Sequence, residues 1–195
     1  MSDDIREFLS FVNISTEEYT LFEWKPPRSF RSFVLDLKIV KEYSMDDIFF
    51  HLNKGNMRIA YIKKGNVIYS VGSDENVQFQ RLEALLEVIE KKFNETYDIR
   101  VILSYGNVSE NIFSGFKEEI EEILSNINSL DLGKQIRAFC RVCNKTLKVF
   151  IKKSMIDHAD SYPVPIVYNH EGHAILCYID KNYEVRGVEL VNMTG

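Results

Sequence analysis

The feature that most constrains this chain is a C-x-x-C pair followed by an H-x-x-H pair, with 26 residues between them. The four side chains are Cys140, Cys143, His170 and His173. Two thiolates and two imidazoles complete the tetrahedron of a closed structural zinc site, which has no position left for a water molecule. We therefore predict that these four residues bind one Zn²⁺ ion and that the segment between the two pairs folds back on itself.

Residues next to the ligands fit tight turns. Asn144 follows the second cysteine, where metal knuckles often need a residue that tolerates positive φ. Gly172 lies between the two histidines, so that both imidazoles can turn toward a common point. His158, in a helix predicted from Ser154 to Ala159, is a possible substitute ligand, although a surface position is favoured. His51, in a predicted amphipathic helix, is interpreted as a solvated or capped side chain.

The same residues leave two other interpretations open. The cysteines could form a reduced or redox-active pair, with the histidines as ordinary loop residues. Alternatively, three groups could hold a catalytic metal while Glu171 activates a bound water, as a carboxylate does in zinc hydrolases. The hydrolase is disfavoured because the H-E-x-x-H spacing of common metalloproteases is absent. The protein is therefore expected not to be an enzyme.

The composition of the 195-residue chain is that of a globular protein, with 45% hydrophobic and 27% charged residues. Three cysteines fit a reducing compartment better than a disulfide framework. Acidic and basic residues interrupt the early apolar stretch, and no segment has the roughly 20 apolar residues of a membrane-spanning helix. We expect a cytoplasmic protein without a membrane span.

The net charge of −5 hides an asymmetry between the two ends of the chain. Residues 134–195 carry a net +3 and residues 1–133 a net −8, and the stretch from Lys134 to Lys153 has seven Lys or Arg and no acid. Such a stretch could contact nucleic acid, because neutralised phosphates supply most sequence-independent affinity. The candidate contacts are Arg141, Lys145, Lys148 and Lys152. A solvated strand face, or a patch that docks on the acidic first domain, is favoured over this alternative.

Hydrophobic periodicity predicts an α+β protein with two domains. Along residues 1–131, an α/β sandwich domain, the pattern predicts helices over 2–12 and 44–55, strands over 19–25 and 33–40, a hairpin of strands 57–62 and 67–71, a helix from about 76, a strand over 99–105 and a helix over 113–124. A linker follows at 130–135. Residues 134–195 form a zinc-ribbon-like β domain with predicted strands over 136–140, 147–151, 166–168, 174–179 and 185–191.

Two resemblances to known families add to these expectations. The unit from Met57 to about Asn126, a hairpin followed by a long helix, a strand and a helix, resembles part of the roadblock and longin families. These are small α/β sandwiches, profilin-like in architecture, that regulate small GTPases and membrane-traffic complexes. Both families place further strands after the first long helix, whereas only the strand over 99–105 is predicted here.

The second resemblance covers the tail. Cys140-x-x-Cys143, the run Tyr162-Pro163-Val164-Pro165-Ile166-Val167, His170-x-x-His173 and the segment from Tyr178 to Gly187 resemble a C-terminal module of archaeal proteins, which follows roadblock- or longin-like domains. Together the two resemblances imply a non-enzymatic interaction or regulatory protein. Its partner would be a small GTPase or a second copy of the same domain.

Overall fold

The structure is a computed structural model that describes residues 5–27, 45–104 and 110–191. The chain divides into two compact units, one up to Leu130 and one from Asp131 onward. Both units belong to a mixed α+β protein, with ten strands and four α-helices in the described ranges. None of the helices in these ranges is long and apolar enough to cross a membrane.

The first unit is built on a five-stranded antiparallel sheet with the order β2-β1-β5-β4-β3. Its strands are β1 (Leu9–Ser15), β2 (Thr20–Trp24), β3 (Phe49–Lys54), β4 (Met57–Lys64) and β5 (Val67–Asp74). The predicted hairpin is confirmed as β4 and β5, which pair from Met57–Asp74 to Lys64–Val67. Gly65 in its turn has a φ of 57°, a conformation that glycine adopts without a steric penalty.

Helices pack on this sheet through aromatic side chains. The helices of this unit are α1 (Phe79–Thr96), α2 (Ile99–Ser104) and α3 (Phe116–Ser125), with single 3₁₀ turns at Ile5–Phe8, Glu110–Phe113 and Ile127–Ser129. The aromatic contacts involve α1 and α3. Phe93 of α1 contacts Tyr69 of β5 and Phe116 of α3, with ring centroids 6.0 and 4.9 Å away. The predicted helices over 76–93 and 113–124 are thus confirmed as α1 and α3.

Three predicted elements of the first unit are wrong. Residues 2–12 were expected to be helical, but the described part forms one 3₁₀ turn and then β1, whose residues are almost all buried. The helix expected over 44–55 is replaced by β3, an edge strand rich in aromatic residues, which favour strands. The strand expected over 99–105 is replaced by α2. The strand predicted over 33–40 lies outside the described residues.

His51 is consequently placed on a strand instead of a helix. Its Nε2 atom lies 2.7 Å from Oε1 of Glu83, and its ring stacks on Phe79 with the centroids 4.1 Å apart. Both partners belong to α1. His51 therefore links the edge strand to the helix and is not a freely solvated side chain.

The second unit consists of a two-stranded ribbon and a three-stranded sheet. The ribbon pairs β6 (Gly133–Cys140) with β7 (Lys145–Lys152), and the sheet has the order β10-β9-β8. The strands of the sheet are β8 (Val164–His170), β9 (His173–Ile179) and β10 (Val185–Val191), and α4 (Lys153–Asp157) follows β7. All five predicted strands and the short helix are confirmed in this unit.

The core of the second unit contains one buried cluster with residues from both sheets. Its members include Ile136, Ala138, Val149 and Ile151 of the ribbon and Ile166, Ile175, Cys177 and Ile179 of the sheet. Cys177 is fully buried, and burial raises the pKa of its thiol to about 11. It is therefore an inert apolar residue of the core.

Candidate metal centre

The two cysteines lie at the turn of the β6–β7 ribbon. Cys140 is the last residue of β6 and pairs with Lys145, the first residue of β7. Cys143 lies in the turn between them, next to Asn144, whose φ is 56°. The left-handed conformation predicted for Asn144 is thus confirmed, and it lets the chain reverse directly after the second cysteine.

The two histidines lie at the turn of the β8–β9 hairpin. His170 and His173 are paired across it, and Glu171 and Gly172 between them have φ values of 45° and 81°. Positive φ at both central residues is typical of the tight two-residue turn whose twist matches that of the flanking strands. This turn places the two imidazoles side by side, with ring centroids 4.1 Å apart.

The two turns bring one ligand atom from each of the four predicted residues to within 4.8 Å of one another. We call this set, Cys140, Cys143, His170 and His173, the Cys₂His₂ cluster. Zinc bonds of about 2.0–2.3 Å give tetrahedron edges of about 3.3–3.8 Å, somewhat shorter than this limit, so small side-chain movements would bring the four atoms to the size of a single-ion site. These residues could hold a metal ion. His158 is not part of the cluster; it follows α4 and is exposed.

The orientation of His173 fits metal binding. Its Nδ1 atom lies 3.2 Å from the carbonyl oxygen of Glu171. A carbonyl oxygen only accepts hydrogen bonds, so Nδ1 carries the proton in this contact and Nε2 keeps its lone pair. That Nε2 atom faces Sγ of Cys140 at 3.2 Å. A backbone carbonyl that holds one ring nitrogen while the other binds the ion is the usual support of a metal-bound histidine.

His170 provides an independent test of the fit. Its Nε2 atom is buried and has no hydrogen-bond partner among the residues that the structure describes. Leaving a buried polar atom without a partner costs about 1–3 kcal/mol, so such atoms are rare in folded proteins. A metal ion bound by the neighbouring cysteines would satisfy this nitrogen. The residues present therefore fit a metal ion at this position.

The cysteine thiols differ in their tendency to ionise. Burial of Cys140 opposes ionisation, but hydrogen bonds from the backbone N–H groups of Cys143 and Val142 outweigh it and lower the pKa of Cys140 to about 6. Burial, together with the hydrogen bond to Cys140, raises the pKa of Cys143. The lowered pKa of Cys140 favours its thiolate form, which is the form that binds metals.

An ion pair with Lys145 makes Glu171 less suited to act as a general base. Nζ of Lys145 lies 2.7 and 3.0 Å from the two carboxylate oxygens of Glu171, and this hydrogen-bonded contact lowers the pKa of Glu171. A carboxylate with a lowered pKa is a weaker general base. The geometry thus gives no support to the hydrolase interpretation.

The four residues of the nucleic-acid alternative do not share one face. Lys145 pairs with Glu171, Lys152 is buried, and Arg141 and Lys148 are exposed. The register of the ribbon instead places Arg137 directly opposite Lys148. Arg137 is not among the contacts predicted from the sequence, because a count of charges along the chain does not separate the two faces of a strand. The alternation of apolar and polar residues in β6 is the signal that identifies its face.

No protein-family model matches the sequence, and no curated protein matches it. The metal centre is therefore described from the structure of this chain alone. It is a Cys₂His₂ cluster formed at the turns of two β-hairpins in the second unit of an α+β protein.

Proposed function

We propose that this chain is a non-enzymatic interaction protein whose second unit is stabilised by one structural Zn²⁺ ion in the Cys₂His₂ cluster. The observation that carries the proposal is the approach of four donor atoms to within 4.8 Å from the turns of two separate hairpins. Two sulfurs and two imidazole nitrogens form a ligand set typical of zinc. Four protein ligands leave no open position for substrate, which favours a structural ion over a catalytic one.

The small size of the second unit supports a structural role. It extends from Asp131 to the C-terminus, about 65 residues. Domains below about 70–80 residues rarely gain enough stability from an apolar core alone and often use metals or disulfides in addition. The three cysteines are all free thiols, so a disulfide does not provide this support. An ion that joins the β6–β7 and β8–β9 turns would cross-link the ribbon to the three-stranded sheet.

The metal can be tested on the full chain by elemental analysis and X-ray absorption spectroscopy. We expect about one zinc per chain, bound by two sulfur and two nitrogen atoms. Cys140→Ser should lose most of the zinc, whereas the matched variant Cys177→Ala, which changes a buried cysteine outside the cluster, should keep it. A preparation that binds no zinc would contradict the proposal. Three protein ligands and a water molecule would favour the hydrolase instead.

We assign the interaction with a protein partner to the first unit. This unit contains a five-stranded antiparallel sheet on which α1 and α3 pack. Such an architecture agrees with the small α/β sandwich that the resemblance to roadblock and longin domains implies. The helical conformation of Ile99–Ser104 differs from the further strands of those families. A small GTPase, or a second copy of the chain, is the partner that this resemblance implies.

A pull-down with the zinc-loaded full chain tests this partner. Purified small GTPases from the source organism are loaded with GDP or with a non-hydrolysable GTP analogue and are passed over the immobilised protein. Retention should depend on the nucleotide, or the chain should be a dimer in sedimentation equilibrium. A monomer that retains no GTPase in either nucleotide state would contradict this part of the proposal and leave the zinc site unaffected.

A further inference from the structure

The two faces of the β6–β7 ribbon have different environments. Alternate residues of β6, beginning with Ile136, are buried in the core of the second unit, whereas Arg137 and Phe139 between them are exposed. On β7, their cross-strand partners Lys148 and Thr146 are exposed as well. We call Arg137, Phe139, Thr146 and Lys148 the outer ribbon face. It lies at the end of the ribbon that carries the Cys140 turn.

The outer ribbon face concentrates positive charge. Arg137 and Lys148 are directly opposite each other, where side chains on one face of an antiparallel pair are about 4.5–5.5 Å apart at Cβ. Arg141, exposed in the adjoining turn, adds a third cation, and the stretch from Lys134 to Lys153 contains no acid. This arrangement favours an anionic ligand.

An exposed aromatic ring lies between these cations. Phe139 is two residues from Arg137 on the same face, a spacing of roughly 6.6 Å along a strand, and two residues from Arg141. Its side chain is 48% exposed and is not needed by the core, which the alternate residues fill. An exposed phenylalanine among cations is the combination by which proteins stack a base while neutralising the neighbouring phosphates.

We propose that the outer ribbon face binds single-stranded nucleic acid. Phe139 would stack on a base, and Arg137, Lys148 and Arg141 would contact the phosphates on either side. An acidic peptide would contact the three cations but would offer no base to stack on Phe139. Nucleic acid would contact the cations and the aromatic ring, so it accounts for more residues of the outer ribbon face. This inference goes beyond the proposed protein partner, which is assigned to the first unit, and it requires only that the ribbon be folded.

Fluorescence anisotropy of a labelled 20-nucleotide oligo(dT) with the zinc-loaded full chain tests the proposal. Binding should weaken with salt, and three phosphate contacts predict a slope of log K against log [salt] of about −2. Phe139→Ala should weaken binding by at least about five-fold, the effect of losing one stacked base. Arg137→Glu combined with Lys148→Glu should abolish binding.

The matched control is Lys117→Glu combined with Lys181→Glu, which makes the same change in net charge at two exposed lysines that do not belong to the ribbon. It should bind oligo(dT) within about two-fold of the wild type. Zinc content is measured for every variant, so that a loss of binding is read only from folded, metal-loaded protein. Loss of the metal itself would count against the structural zinc site and not against the outer ribbon face.

Three outcomes would overturn the proposal. One is the absence of binding to oligo(dT) by the zinc-loaded wild type at low salt. Another is an equal loss of binding in the control and in the Arg137 and Lys148 double variant, which would mean that only net charge matters. The third is competition by poly-glutamate as effective as that by unlabelled oligo(dT), combined with unchanged binding by Phe139→Ala. That result would assign the face to acidic peptides.

Discussion

Removing the metal from the Cys₂His₂ cluster should unfold the second unit and leave the first unit folded. Folded domains are stable by about 0.05–0.15 kcal/mol per residue, which gives about 3–10 kcal/mol for a unit of this size. Structural zinc contributes about 10–16 kcal/mol in small zinc domains near neutral pH. An ion that contributes on this scale would equal or exceed the whole stability expected of the unit, so we expect the apolar cluster around Ile151 alone not to keep the metal-free unit folded.

The chain provides a reporter for each unit. Trp24 is the single tryptophan of the sequence, lies in β2 of the first unit and is 2% exposed. Its fluorescence emission should not change when a chelator such as EDTA removes the metal. Hydrogen exchange followed by mass spectrometry reports on both units. Peptides from β6 to β10 should lose their protection in the chelator, whereas peptides from α1 should keep it.

Cys177→Ala is the matched control for this experiment, because it removes a buried thiol that does not belong to the cluster. It should keep the protection of β6 to β10 in the absence of chelator, and added zinc should restore protection to the chelated wild type. Verified metal-free protein with the same protection and the same melting temperature as zinc-loaded protein would refute a structural role for the ion. In that case the apolar core alone would hold the second unit together.

Three further predictions concern the first unit and are measured by thermal unfolding followed through Trp24 emission. Glu121→Ala should lower its stability by about 1–3 kcal/mol, because Nε1 of the buried Trp24 donates a 2.7 Å hydrogen bond to Glu121; an unchanged melting temperature would contradict this. Gly72→Ala should lower the free energy of unfolding of this unit by about 1–3 kcal/mol or more, because the added Cβ would overlap the Phe11 ring. The zinc content of the variant should not change. Burial raises the pKa of Tyr69, so folding disfavours its ionisation, and the stability of the unit should fall as the pH rises above about 10. Tyr69→Phe should make this alkaline loss of stability smaller. An identical pH profile for the variant and the wild type would contradict a role for Tyr69.

Short-range signals account for the features that the sequence predicted well. The β4–β5 hairpin follows from two apolar runs separated by a turn with Gly65, and the knuckle follows from cysteines three positions apart next to Asn144. Each depends on about fifteen neighbouring residues or fewer, so tertiary structure has little influence on it. The approach of the cysteine and histidine turns depends on the path of the 26 residues between them, which no short-range signal determines.

The errors occur where tertiary structure overrides a local pattern. Apolar residues in 2–12 match a helical period, but β1 is buried on both faces and therefore lacks the alternation that identifies a half-exposed strand. Ile99–Ser104 is rich in β-branched residues, yet it forms α2. Helix propensities differ by at most about 0.7 kcal/mol between ordinary residues, so β-branched residues are only a weak argument against a helix.

The surroundings of the Cys₂His₂ cluster explain why an ion, and not side-chain contacts alone, should join the two hairpins. The ion pair between Lys145 and Glu171 links the same two turns, but both side chains are 56% exposed. Solvent and salt screen such a pair, and it contributes little to stability. Without a metal, the buried Nε2 atom of His170 further destabilises this connection. The atom is shielded from water and has no hydrogen-bond partner among the described residues. One ion bound by the two cysteines and the two imidazoles would remove this penalty and add four metal–ligand bonds to a weak surface ion pair.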